Sequence, residues 1–143
     1  MAEISGFTNL AFGEHERQKL DVFRPAGDRA APLVVLVHGG GWAGGCKEQY
    51  RRTSLPLAEA GIASASIGYR LLPEAAWPEI AWDALRGAEY LMEHAKDLGI
   101  DASGQDLLVE ICRRLGADTY LAQDAARSYL QPDRFLDAGL DLR

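Results

Sequence analysis

The sequence predicts an α/β fold: a three-layer arrangement in which antiparallel strands lead into a sheet, parallel strands continue it, helices pack on it, and a helical appendage ends the chain. Three observations carry this. Leu33-Val34-Val35-Leu36-Val37 is an aliphatic run without polar alternation, the pattern of a central strand covered on both faces. A glycine-rich stretch, a helical pattern and a second short run, Ile62-Ala63-Ser64-Ala65-Ser66-Ile67, follow in the order of a βαβ unit. Upstream, two extended segments joined by a polar connection suit an antiparallel hairpin.

Taken in order, residues 7–12 and 19–23 are the extended segments, with residues 13–18 as their connection. Arg24-Pro25-Ala26-Gly27-Asp28 supplies turn chemistry before the aliphatic strand. After the glycines, residues 48–60 suit a helix with apolar positions Leu55, Leu57 and Ala58, closed by Gly61. Residues 69–78 read as a loop. Residues 79–96 form a second helix, in which Ile80, Ala84, Leu85, Ala88 and Leu91 or Met92 follow the three-and-four spacing of a buried face. Leu98-Gly99-Ile100-Asp101 ends it. Beyond Ser103-Gly104, Leu107, Leu108, Ile111, Cys112 and Leu115 make another amphipathic helix, followed by a strand at 119–121, helical pieces at 124–130 and 132–138, and a terminal edge strand at 140–142. No internal repeat or low-complexity segment occurs.

A chain of 143 residues is the size of one ordinary domain, long enough for a core but short for a complete α/β enzyme. Its net charge of −6 and pI near 5.0 argue against broad contact with nucleic acid or anionic lipid, and no partner of either kind is expected. The densest basic group, Lys47, Arg51 and Arg52, reads as a solvated helix face. The N-terminus lacks the pattern of a secretory signal and the longest apolar run is far too short to span a bilayer, so a cytoplasmic protein is expected. Cys46 and Cys112 have no CxxC or His-spaced partners; free thiols are expected, with no zinc site, disulfide framework or cofactor.

His38-Gly39-Gly40-Gly41-Trp42 stands where the buried strand opens into a loop, a place where backbone N–H groups can approach a reacting carbonyl. With Gly68-Tyr69-Arg70-Leu71-Leu72-Pro73-Glu74, Trp77-Pro78-Glu79-Ile80, Asp83 and Leu98-Gly99-Ile100-Asp101, this resembles the HGGGW carboxylesterases of the α/β-hydrolase fold, near the hormone-sensitive-lipase-like and feruloyl-esterase-like groups. The resemblance covers about residues 7–104 and implies a truncated α/β-hydrolase-like sheet. It also implies an oxyanion hole formed by the N–H groups of Gly40 and Gly41. His38, Gly39, Trp42, Tyr69 and Arg70 would be motif residues of structural weight, with His38 not the catalytic base.

Such enzymes next need a G-x-S-x-G turn and a late histidine. Neither is present. None of the six serines, Ser5, Ser54, Ser64, Ser66, Ser103 and Ser128, has glycine at both the second position before and the second position after it, and no histidine follows His94. No catalytic residue is assigned; the best substitute nucleophile is Cys46, near an expected helix start, next to Lys47 and close in sequence to His38. His15 and His94 read as surface residues, and Glu89 and Glu93 as a solvated helix face.

The segment Leu107-Leu108-Val109-Glu110-Ile111-Cys112-Arg113-Arg114-Leu115-Gly116-Ala117, with Thr119-Tyr120-Leu121, Tyr129-Leu130, Phe135 and Ala138-Gly139, resembles the WbqC-like proteins associated with surface-polysaccharide gene clusters. Ala122-Gln123 departs from that family's Ser-Gly, and no functional residue is carried over. The expected organisation is a partial hydrolase domain at 1–104 and a helical segment of separate character at 105–143. The expected function is that of a carboxylic-ester hydrolase lineage, with a small acyl or sugar ester as substrate, inactive alone. A non-catalytic binding module or a recombined gene fragment is the alternative. A sheet ending at its second parallel strand would leave an open edge for self-association and confer marginal stability.

Overall fold

The computed structural model describes residues 3–101, 119–120, 132–139 and 141–142. The chain forms two compact units, Met1–Ala102 and Ser103–Arg143.

The first unit is built on a five-stranded mixed sheet. Strands β1 (Ile4–Ala11) and β2 (Lys19–Pro25) form the antiparallel entry; β3 (Ala31–Val37), β4 (Ala63–Ile67) and β5 (Ile100–Asp101) are parallel to one another. The spatial order is β1-β2-β4-β3-β5, with β2 and β4 antiparallel. This is the predicted architecture: a hairpin feeding a βαβ crossover, matching the α/β-hydrolase-like layout.

The strand buried throughout is β4. All five of its residues are covered, because α1 (Arg51–Glu59) packs on β2 and β4 and α2 (Trp77–Glu93) packs on β4. Small Ala and Ser side chains at 63–66 let these layers approach closely, and Gly87 of α2 does the same: a Cβ there would fall 2.5 Å from Ile67 Cγ2. The expectation that the aliphatic run is covered on both faces is corrected. Only Ala31 of β3 is fully buried, while Val35 and Val37 are 38% and 43% exposed, since α1 and α2 sit over its neighbours. The sheet also continues past its second parallel strand. Ile100 and Asp101 pair with Ala31 and Pro32, covering the start of the β3 edge.

Helix boundaries and faces differ from the periodicity as well. The first expected helix divides into a 3-10 turn (Lys47–Tyr50) and α1, whose buried residues are Ser54 and Ala58; Leu55 is 37% exposed. Helix α2 begins two residues earlier than expected, with Pro78 in its first turn and the Glu79 carboxylate accepting the Ala76 N–H at 2.8 Å. Its buried face is Ile80, Asp83, Gly87 and Leu91, and Leu85 is open. The stripe rotates because a charged Asp83 takes an inward position where the periodicity counted only apolar residues. His94 then breaks the helix, its ring stacked on Tyr90, before α3 (Ala95–Leu98).

In the second unit, β6 (Thr119–Tyr120) and β7 (Asp141–Leu142) pair in parallel, and α4 covers Pro132–Asp137. The expected strands at 119–121 and 140–142 and the helix at 132–138 fall on these elements. The expected helices around 107–115 and 124–130, with Cys112, lie outside the described residues.

Candidate functional site

The glycine loop leaves the C-terminal end of β3, where a parallel strand of an α/β sheet presents its binding groups. Its backbone is unusual. Gly40, Gly41 and Gly45 have φ of 132°, 61° and 90°, and Trp42, which carries a side chain, also lies in the left-handed region at 64°. A Cβ on Gly40 would sit 2.3 Å from the Gly44 carbonyl oxygen, and one on Gly45 equally close to that of Gly39, so glycine is required at both. The turn is closed by Ala43 N–H donating to Gly40 O (3.2 Å) and Leu72 N–H donating to Trp42 O (2.8 Å). Among the described residues the N–H groups of Gly40 and Gly41 have no acceptor.

Beneath the loop lies His38, 2% exposed, its ring stacked on Tyr69 at 4.1 Å. Nδ1 lies 2.9 Å from Gly39 O, an acceptor only, so Nδ1 carries the proton. The Tyr69 hydroxyl donates to His38 O, and burial pushes that phenol above its ordinary pKa, keeping it a neutral donor. His38 Nε2 is buried with no hydrogen-bond partner among the described residues. Above, Trp42 meets Trp77 edge-on at 4.4 Å, both rings half open to solvent.

Two buried ionic clusters frame this site. In the first, Asp83, wholly buried, accepts from Arg70 Nε and Nη2 and from Gln18 Nε2, each at 2.8 Å, and from Arg70 N–H at 3.0 Å. Burial alone would raise its pKa; these donors overcome that and hold it below the usual carboxylate value. In the second, Lys47 Nζ donates to Asp21 Oδ1 (2.8 Å), Asn9 Oδ1 (2.9 Å) and Glu48 Oε1 (2.6 Å). Burial works against the charge of Lys47, yet the bonds to Asp21 and Glu48 outweigh it and raise its pKa. The expectation that Lys47 belongs to a solvated face is therefore corrected: it is 7% exposed, drawn inward by Asp21.

Cys46, the substitute nucleophile, is a half-buried free thiol. The structure removes two of its supports. It precedes a four-residue 3-10 turn in place of a full helix, and the amine of the neighbouring Lys47 is committed to Asp21, Asn9 and Glu48. His15 lies against Glu74 at 2.6 Å and His94 ends α2. Asp21, Asn9 and Gln18 carry no sequence signal, because their partners are 26, 38 and 65 residues away. Among the described residues no cluster of three His, Cys, Asp or Glu side chains is placed to hold a metal, and no helix is long and apolar enough to cross a membrane.

Comparison with known proteins agrees with the fold. The chain is 34% identical over 116 residues to the carboxylic ester hydrolase LipN of Mycobacterium tuberculosis, covering 73% of this chain and 29% of LipN. It is 30% identical over 124 residues to the ethyl acetate hydrolase of Pseudomonas putida, covering 78% of this chain and 39% of that enzyme. It thus spans well under half the length of these two relatives. Esterase B of Lactobacillus rhamnosis superposes with a TM-score of 0.63 over 82% of this chain and 48% of its own, at 21% identity, a likeness of fold. The WbqC-like protein family matches residues 80–143, and the BD-FAE family matches residues 20–107. With the βαβ crossover, the glycine loop and these relatives in agreement, the chain belongs to the BD-FAE family of α/β-hydrolase-like proteins, in the lineage of the carboxylic ester hydrolases.

Proposed function

We propose that this chain is the oxyanion-binding part of a hydrolase for small carboxylic esters, acyl or sugar, acting in the cytoplasm. In this reading the N–H groups of Gly40 and Gly41 receive the oxyanion, and Tyr69 and His38 support the loop from below. The observation that carries it is a turn whose other ends are closed by hydrogen bonds while these two N–H groups have no acceptor among the described residues. The names of the relatives, a carboxylic ester hydrolase and an ethyl acetate hydrolase, favour a small ester.

Residues 1–143 do not turn over an ester by themselves, because an oxyanion site without a nucleophile and base cannot complete acyl transfer. In this reading Cys46 is not the nucleophile, because no full helix begins there and the Lys47 amine is taken up by Asp21, Asn9 and Glu48. A short-chain nitrophenyl ester should be hydrolysed no faster than in buffer, with no difference in Cys46→Ala; turnover lost in that variant would reinstate the thiol. Titration with butyrate should shift the Gly40 and Gly41 amide resonances first. Absence of those shifts would overturn the oxyanion assignment.

A second reading is favoured by the two family matches, each covering only part of the chain. It holds that residues 1–104, a partial hydrolase domain, and 105–143 are segments of different origin joined by recombination. A neighbouring reading frame that supplies G-x-S-x-G and a late histidine would support it; an uninterrupted esterase gene would exclude it.

A further inference from the structure

We infer that Arg17 and Lys47 are positioning residues that clamp the far end of the glycine loop to the β1–β2 hairpin and so set the direction of the Gly40 and Gly41 N–H groups. This rests on the oxyanion reading for its meaning, but the clamp stands on geometry of its own. Arg17, in the hairpin connection, donates from Nη1 to Gly45 O at 3.1 Å, reaching the loop from a segment 28 residues away. Two residues past Gly45, Lys47 is drawn into the hairpin by Asp21 and Asn9. The hairpin is shaped to receive it: Asn9 sits at φ 57° where the β1–β2 register shifts, and its N–H donates to the same Asp21 oxygen at 2.8 Å. Both Lys47 and Asp21 are nearly closed to solvent, at 7% exposure each. A charge placed so deeply for a solvated role would be costly; paired, it ties one end of the loop to a fixed point.

The consequence follows from chain continuity. Gly45 at φ 90° lies against the Gly39 carbonyl and the His38 ring with no room for a Cβ. Holding Gly45 therefore holds Gly39, and with it the turn between them. Free of the clamp, the loop would keep its glycines but not one orientation, and preorganised donors are what an oxyanion site requires.

Amide hydrogen exchange on the whole chain tests this without a ligand. The Ala43 and Leu72 N–H groups close the loop turn, and the ladder amides of β4 report the core. In Arg17→Ala and in Lys47→Met, exchange at Ala43 and Leu72 should rise about tenfold while that of β4 stays within about twofold. Lys47→Arg should restore most of the protection. Should Lys47→Met fold poorly, the Lys47→Met/Asp21→Asn pair, which leaves no lone buried charge, serves in its place. Equal increases in the loop and in β4 would mean general stabilisation only, and unchanged loop exchange would mean no clamp; either overturns the inference. Failure of butyrate to shift Gly40 and Gly41 in the unaltered chain would overturn the oxyanion reading while leaving the clamp to the exchange result.

Discussion

The Arg70 guanidinium grips the Asp83 carboxylate through two bonds of 2.8 Å, Nε to Oδ2 and Nη2 to Oδ1, joining the loop after β4 to the buried face of α2. The carboxylate is inaccessible, and the backbone N–H of Arg70 and the Gln18 amide fill its remaining acceptor positions. Replacing the carboxylate leaves the buried Gln18 amide and the Arg70 guanidinium, itself only 25% exposed, without their acceptor. Asp83→Asn should therefore destabilise the first unit by about 3 kcal/mol, read from the urea midpoint. A loss below about 1 kcal/mol would place the pair among weak surface bridges.

The same pair contributes to the acid limb of stability, beside Glu48, where partial desolvation is outweighed by the bond to Lys47 and the folded pKa is also lowered. Asp83 binds its proton less readily folded than unfolded, so its contribution is complete above the ordinary carboxylate pKa and disappears as pH falls through the lower folded value. Lys47 behaves oppositely. Its folded pKa is raised, so its contribution is complete below the ordinary lysine value and is lost as pH climbs through the folded one. Stability measured against pH should fall below about pH 4 and above about pH 10.5, and Asp83→Asn should reduce the slope of the acid limb while leaving the alkaline limb unchanged.

Two glycines of the loop should answer differently to alanine. At Gly45 the new methyl meets the Gly39 carbonyl and the His38 ring in a left-handed backbone, a loss of more than about 2 kcal/mol. At Gly41 the backbone is also left-handed, but a Cβ meets nothing within 4 Å, and about 1 kcal/mol suffices. Thermal denaturation of the two variants distinguishes them, and equal losses would contradict the packing around Gly45.

Strand β3 is expected to be the site of self-association. Among the described residues its pairing on the outer side stops at Pro32, and Val35 and Val37 beyond it are open. An uncovered apolar strand edge recruits further strands. Sedimentation should reveal concentration-dependent oligomers that Val35→Lys abolishes, and the chain should melt below about 60 °C. A monomer at every concentration would count against this edge.

Much of the sheet can be read from local pattern, because strand identity depends on neighbours in sequence: the aliphatic run at 33–37, the small-residue run at 62–67 and the polar hairpin connection each announce themselves. Faces are harder. Leu55 and Leu85 look inward by spacing and point outward in the fold, while Ser54, Asp83 and Gly87 take the inner positions. Periodicity ranks residues by polarity, whereas the fold ranks them by the partner available, and Asp83 is worth burying only because Arg70 and Gln18 wait for it.

The glycine loop divides along the same line. Its motif and its place after a strand are local, so His38-Gly39-Gly40-Gly41-Trp42 alone identifies the lineage and the backbone donors that it offers. How that loop is held is not local. Arg17 reaches Gly45 across 28 residues and Lys47 reaches Asp21 across 26, and neither link leaves a trace in spacing or composition. Hydrogen bonds and ion pairs act over about 3 Å in space whatever the separation along the chain, so the fold had to bring the hairpin beside the loop before either residue acquired a role.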